Sequence, residues 1–151
     1  MFSQTAEYAL RAAVLLALRS PSPQTAQQIS ADTQVPTDYL FKVLQTLARA
    51  GIVSAQRGKH GGFSLSRPAS EISILDILQA VDPIKRIRTC PLNLKEHGVR
   101  LCPVHRKIDD ALCLIEDTFR NSMLSELADP AAESVPLCLK PNLIPETVLH
   151  A

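Results

Sequence analysis

Two cysteines and two histidines fall within sixteen residues of one another: Cys90, His97, Cys102 and His105, spaced C-x6-H-x4-C-x2-H. Thiolate and imidazole are ligands that suit zinc and the irons of iron–sulfur clusters. Cys102-Pro103-Val104-His105 is a compact C-x2-H pair able to chelate one metal from a single stretch of chain. Cys90 and Cys102 are each followed by proline, a context common for cluster ligands. The competing reading is two buried thiols and two surface histidines that share nothing. Cys113, between Leu112 and Leu114, reads as a small buried apolar residue, and Cys138, between Leu137 and Leu139, has no ligand-type neighbour. Neither is placed in the site.

A second group of residues suits a different chemistry. Arg57-Gly58-Lys59-His60-Gly61-Gly62-Phe63 gathers cationic or protonatable side chains among three glycines. Glycine lets a backbone approach another surface closely, and basic side chains on such a tip suit phosphates or a narrow minor groove.

The elements that must position these groups can be read from periodicity. Residues 3–19 carry apolar positions at helical spacing until Pro21 and Pro23. Thr25 with Gln28 makes a capping box that opens a short helix through about residue 32. After a turn at Thr33-Gln34-Val35-Pro36, Leu40, Val43, Leu44 and Leu47 predict a second helix ending near Gly51. Two helices joined by a short turn are the helix-turn-helix layout. Residues 52–57 and 63–66 alternate as strands around the glycine tip, which completes a winged helix. Ser73 and Asp76 cap a further helix. Residues 83–103 read as irregular, and Val104, Ile108, Leu112, Ile115, Phe119 and Met123 predict one long amphipathic helix. That helix has nowhere obvious to bury its stripe, so pairing with a second copy is expected. The expected fold is mainly α with a small β-wing: a winged domain at 1–82, a metal- or cluster-binding loop at 83–103, a dimerisation helix at 104–128 and a loosely ordered or strand-like tail at 129–151.

Within this layout the second helix of the pair would read duplex DNA. Thr37, Asp38, Tyr39 and Lys42 lie at its start and Gln45 one turn on, with Gln28 on the helix before it. Thr37 suits a phosphate, Lys42 a phosphate or guanine, and the Tyr39 ring can pack while its hydroxyl reaches a phosphate. Arg57, Lys59 and His60 would reach the minor groove or flanking phosphates.

Bulk properties agree. The chain has 151 residues, a net charge of +1 and 4% aromatic content without tryptophan, which disfavours stacking on single strands. Charge is segregated: seven Lys/Arg against three Asp/Glu in residues 1–67, seven against one in 84–107, and two against eight in 108–151. A basic DNA face with an acidic tail fits. The apolar run from Ala12 to Leu18 is too short to span a bilayer and is closed by Arg19, so no membrane and a cytoplasmic location are expected. An enzyme is disfavoured by the absence of a C-x2-C pair, a nucleophile elbow, a phosphate loop or a paired carboxylate with a nearby base. A winged helix that binds protein is disfavoured by the basic tip.

Several of these runs resemble the bacterial Rrf-type winged-helix regulators, the family of the IscR and NsrR sensors. They are Gln4-Thr5-Ala6-Glu7-Tyr8-Ala9-Leu10-Arg11, Tyr39-Leu40 with Lys42-Val43-Leu44, Ala50-Gly51-Ile52-Val53, Arg57-Gly58 with Gly61-Gly62-Phe63 and Ser66-Arg67-Pro68, and Ile74-Leu75-Asp76-Ile77 with Ala80-Val81. The resemblance runs to about residue 125. It implies a dimeric transcription regulator, expected to be a repressor, whose operator affinity responds to a bound cluster. Cys90 and Cys102 match the outer two of the family's three cluster cysteines, while Glu96 stands at the middle one. His105 falls where some members place a histidine ligand. A 2Fe–2S cluster on mixed ligands, with His97 near the gap, is therefore expected rather than a three-thiolate 4Fe–4S cluster. Glu7 matches a carboxylate that in some relatives reaches the partner's cluster. A closed zinc site, or no metal, is the alternative.

Overall fold

The computed structural model describes residues 2–92, 100–129 and 131. Helix α1 spans Gln4–Arg19, α2 Ala26–Thr33 and α3 Thr37–Arg49; strands β1 (Val53–Gln56) and β2 (Gly62–Leu65) follow. After one 3-10 turn at Ala69–Glu71 come α4 (Ile74–Val81), α5 (Pro103–Asn121) and the short α6 (Leu124–Leu127). The mainly helical chain with one two-stranded wing is the architecture its periodicity predicts.

Local chemistry sets the helix ends. The Ser3 hydroxyl accepts from the Ala6 amide at 3.2 Å, and Glu7 and Arg19 occupy the first and last turns of α1 with the signs that suit the helix dipole. Thr25–Gln28 and Ser73–Asp76 form reciprocal capping boxes at α2 and α4. Helix α3 ends where Gly51 takes φ +73° and the Ile52 amide reaches back to the Leu47 carbonyl at 3.0 Å.

Helix α1 is the central element. Ala6, Ala9, Ala12 and Ala13 are fully buried beside Leu15, Leu16 and Leu18, and these small residues let α2, α3, α4, β2 and α6 pack around one helix. Leu40, Val43, Leu44 and Leu47 bury the inner face of α3 against it, and Ile52, Val53 and Phe63 close the core beneath the wing.

The long C-terminal helix departs from expectation. Periodicity carries it through Met123, but it ends at Asn121, and the chain folds back on its own domain. Ile74 donates to the Ser122 carbonyl at 2.9 Å and Leu124 to the Ile72 carbonyl at 2.8 Å, so residues 122–124 pair with the entry to α4. Leu124 is fully buried in the main core. Apolar residues at 123, 124 and 127 extend the helical rhythm without extending the helix. Upstream, α5 leans on α4 and has no buried residue; Phe119 meets Phe2 edge-on with ring centroids 5.3 Å apart. Val104, Ile108, Leu114 and Ile115 stay exposed. The expectation for the tail falls mostly outside the described residues.

Candidate nucleic-acid interface

The outward face of α3 is built by exclusion. Once positions 40, 43, 44 and 47 are spent on the core, Asp38, Phe41, Lys42 and Gln45 necessarily point outward, and all four are exposed. Asp38, Lys42 and Gln45 have no side-chain hydrogen bond or ion pair among the described residues, so their donors and acceptors are unspent. Beside them lies the base of the wing. Strands β1 and β2 pair antiparallel, Gln56 opposite Gly62 and Val53 opposite Leu65. Together α3, the start of α2 and Gly61-Gly62-Phe63 enclose an open groove of about 690 Å³, lined also by Thr25, Ala26, Gln27 and Thr37.

Glycine is required at the groove's wing side. A Cβ on Gly61 would stand 2.3 Å from the Gln56 carbonyl oxygen, and one on Gly62, at φ +152°, 2.6 Å from the Gln24 carbonyl oxygen. Arg57, Lys59 and His60 sit on the exposed tip and form no ion pair among the described residues, nor do Lys42 and Arg49. In contrast Arg11, Arg19 and Arg67 are paired with Glu7, Asp32 and Asp76. Unpaired positive charge thus lies on the α3 and wing side, as it also does at the exposed Lys85, Arg88, Arg100 and Arg106 of the 84–107 segment, and such charge attracts a polyanion.

Three of the expected contact residues also bond within the chain. The Thr37 hydroxyl donates to Ser30 Oγ at 3.0 Å, and Ser30 donates to the Val35 carbonyl at 2.6 Å, so Thr37 bolts α3 to α2 instead of offering a free proton. The Tyr39 hydroxyl is hydrogen bonded to Thr5 Oγ1, and its ring meets Tyr8 edge-on at 5.5 Å, which turns it toward α1. The Gln28 side-chain oxygen accepts from the Thr25 amide at 2.8 Å in the capping box, while its neighbour Gln27 lines the groove. Two groove residues were not singled out from sequence: Gln27, and Phe41, whose ring lies edge-on to Phe63 at 6.1 Å. An aromatic residue outside the apolar register of the recognition helix was the available signal for Phe41.

The soft-ligand loop is described only in part. Cys102 is the N-cap of α5 and Pro103 its first residue; one turn on, His105 Nδ1 lies 3.2 Å from Cys102 Sγ. Cys90 is buried. Among the described residues no three of His, Cys, Asp or Glu converge as a metal-ion group. His97 lies outside the described residues. The donor chemistry of the Cys102–His105 pair suits one iron of a 2Fe–2S cluster and equally two of the four ligands of a zinc ion. Glu7 is exposed and ion-paired with Arg11 on α1.

The segment between Cys90 and α4 is clamped to α5. The Arg86 guanidinium donates to both Asp109 oxygens, each at 2.7 Å, and to Glu116 at 3.2 Å, while the Ile87 amide donates to Asp109 Oδ1 at 2.9 Å. The Arg86 hydrogen bonds hold the Asp109 carboxyl at about 2, below the usual carboxylate range, and the same contacts push Arg86 up.

A winged helix-turn-helix with an unpaired polar recognition face and a basic wing defines a DNA-binding protein. The family model for Rrf2, described as an iron-dependent transcriptional regulator, matches residues 2–130, and the chain belongs to that family. It is a DNA-binding transcription regulator and not an enzyme. A protein of Aquifex aeolicus assigned to the HTH-type transcriptional regulators is 30% identical over 130 residues, covering 84% of this chain and 90% of its own. The structure is similar to CymR, the global cysteine regulator of B. subtilis (TM-score 0.72, 22% identity, 87% of this chain and 98% of that one). It is likewise similar to IscR of T. potens (TM-score 0.72, 20% identity, 88% and 89%). Both structural likenesses speak to the fold. Among the described residues no helix is long and apolar enough to cross a membrane.

Proposed function

We propose that this chain is a cytoplasmic homodimeric repressor that docks α3 in the major groove of a duplex operator, with the wing of each protomer on flanking phosphates or the minor groove. The observation that carries the reading is the unspent set Asp38, Lys42 and Gln45 opening into the same groove as the wing base, beside unpaired Arg57 and Lys59. Two-fold symmetry implies an inverted-repeat site. The exposed Val104, Ile108 and Ile115 on α5 support pairing of two copies along this helix. Selection of a site from a random duplex pool, followed by anisotropy titration across a salt series, tests the interface; binding without salt dependence or sequence preference would refute it. Sedimentation of Val104→Glu with Ile108→Glu tests the dimer, and an unshifted species would refute it.

The finer reading is that operator affinity depends on an iron–sulfur cluster, 2Fe–2S by its mixed ligands, held by Cys90, Cys102 and His105 with His97 and Glu7 as further candidate ligands. Such a group would supply a redox-sensitive iron centre. The chain's own part is mechanical: Cys102 stands at the N-cap position of α5, Arg86 clamps the preceding segment to Asp109 and Glu116, and fixing Cys90 against Cys102 would set the start of α5. A few kcal/mol of differential binding suffices to shift operator affinity. Anaerobic purification with visible spectra and iron, sulfide and zinc assays tests this. Colourless protein with one zinc makes the loop a structural clip, and unchanged operator affinity in Cys90→Ala and Cys102→Ala removes the regulatory role.

A further inference from the structure

Phe41 is out of place by the ordinary logic of a surface. It is 46% exposed on the polar face of α3, flanked by Asp38, Lys42 and Gln45, inside the groove between α3 and the base of the wing. The ring is not loose: its edge-on contact with Phe63, centroids 6.1 Å apart and planes at 80°, fixes it against the buried base of the wing. A preordered apolar surface loses little side-chain freedom when it meets a ligand. Of the groups that base pairs present in the major groove, only the thymine C5-methyl is apolar.

We propose that Phe41 reads thymine, packing its exposed edge on a C5-methyl at one fixed position in each operator half-site. This rests on the placement of α3 in the major groove and adds to it a base preference. Asp38, one turn earlier, accepts from a base-edge amino group, Lys42 and Gln45 hydrogen bond with neighbouring edges or phosphates, and Phe41 contributes by excluding water from the methyl.

The test replaces each thymine of the selected operator in turn by deoxyuridine, which keeps every hydrogen bond and removes only the methyl. The wild-type chain is expected to show one sensitive position per half-site, weakened about fourfold, as burial of one methyl at about 0.8 kcal/mol gives. Phe41→Ala, checked for folding by circular dichroism, is expected to bind the thymine and deoxyuridine operators equally at that position. Phe41→Leu should retain part of the difference. A wild-type chain with salt-dependent, sequence-specific binding but no methyl-sensitive position would overturn the inference and leave the interface intact. Equal weakening of both operators by Phe41→Ala, with the methyl sensitivity preserved, would make the ring a brace for the wing and also overturn it. Failure of the wild-type chain to bind duplex DNA specifically would remove both readings.

Discussion

Gln24 and Phe63 exchange two backbone hydrogen bonds, Gln24 donating to the Phe63 carbonyl at 2.9 Å and Phe63 to the Gln24 carbonyl at 2.7 Å. This bridge makes the loop before α2 a third partner for the wing, so β2 is registered against the helix-turn-helix and not only against β1.

That bridge leaves no space beside Gly62. Gly62→Ala sets a Cβ 2.6 Å from the Gln24 carbonyl oxygen at a φ of +152°, and a strained backbone position of this kind costs roughly 1–3 kcal/mol. The urea midpoint should fall accordingly, and an unchanged midpoint would mean that the wing can lift from the loop without loss.

The wing cations should behave differently. Arg57 and Lys59 are exposed and unpaired among the described residues, so Arg57→Ala and Lys59→Ala should leave the melting temperature in place. Each should lower the slope of log affinity against log salt by roughly 0.9 if it neutralises one phosphate. Anisotropy titrations at several salt concentrations give the slope directly.

Leu124 is fully buried although it follows an exposed helix. Leu124→Ala should destabilise the whole domain by about 2–5 kcal/mol, as a core truncation does. A loss confined to α5, with the winged domain melting as before, would separate the returning segment from the core.

The Asp109 clamp sets a pH dependence with a defined sign. Folding lowers the Asp109 carboxyl to about 2, so its contribution is complete above the unfolded value of roughly 3.9 and disappears as pH falls toward 2. The stability difference between wild type and Asp109→Asn should be constant above about pH 4 and close below it. Thermal melts across that window decide, and a constant gap down to pH 2 would show that Arg86 does not hold the carboxyl.

Much of this arrangement is legible along the chain because it is local. Capping pairs Thr25–Gln28 and Ser73–Asp76, the apolar rhythm of Leu40, Val43, Leu44 and Leu47, and the glycines of the wing each involve residues within a turn or a hairpin of one another. Interactions that cross the chain left no such trace. Arg86 and Asp109 are 23 residues apart and belong to no motif, and the pairing of Ser73 with Met123 interrupts a rhythm that the sequence continues. Side-chain direction was the other gap. Thr37 and Tyr39 sit where a recognition helix begins, but Ser30 and Thr5 claim their hydroxyls, while Phe41, outside the apolar register, turned out to face the groove.

Asp38, Lys42 and Gln45 make no side-chain hydrogen bond or ion pair among the described residues, whereas the alanines of α1 behind them are fully buried in the core. Scaffold and the proposed reading vocabulary are therefore carried by separate residues. With the outer positions of α3 reading the operator as proposed, exchanges there would redirect the target with little change in foldability, so divergence of binding preference would meet almost no thermodynamic resistance.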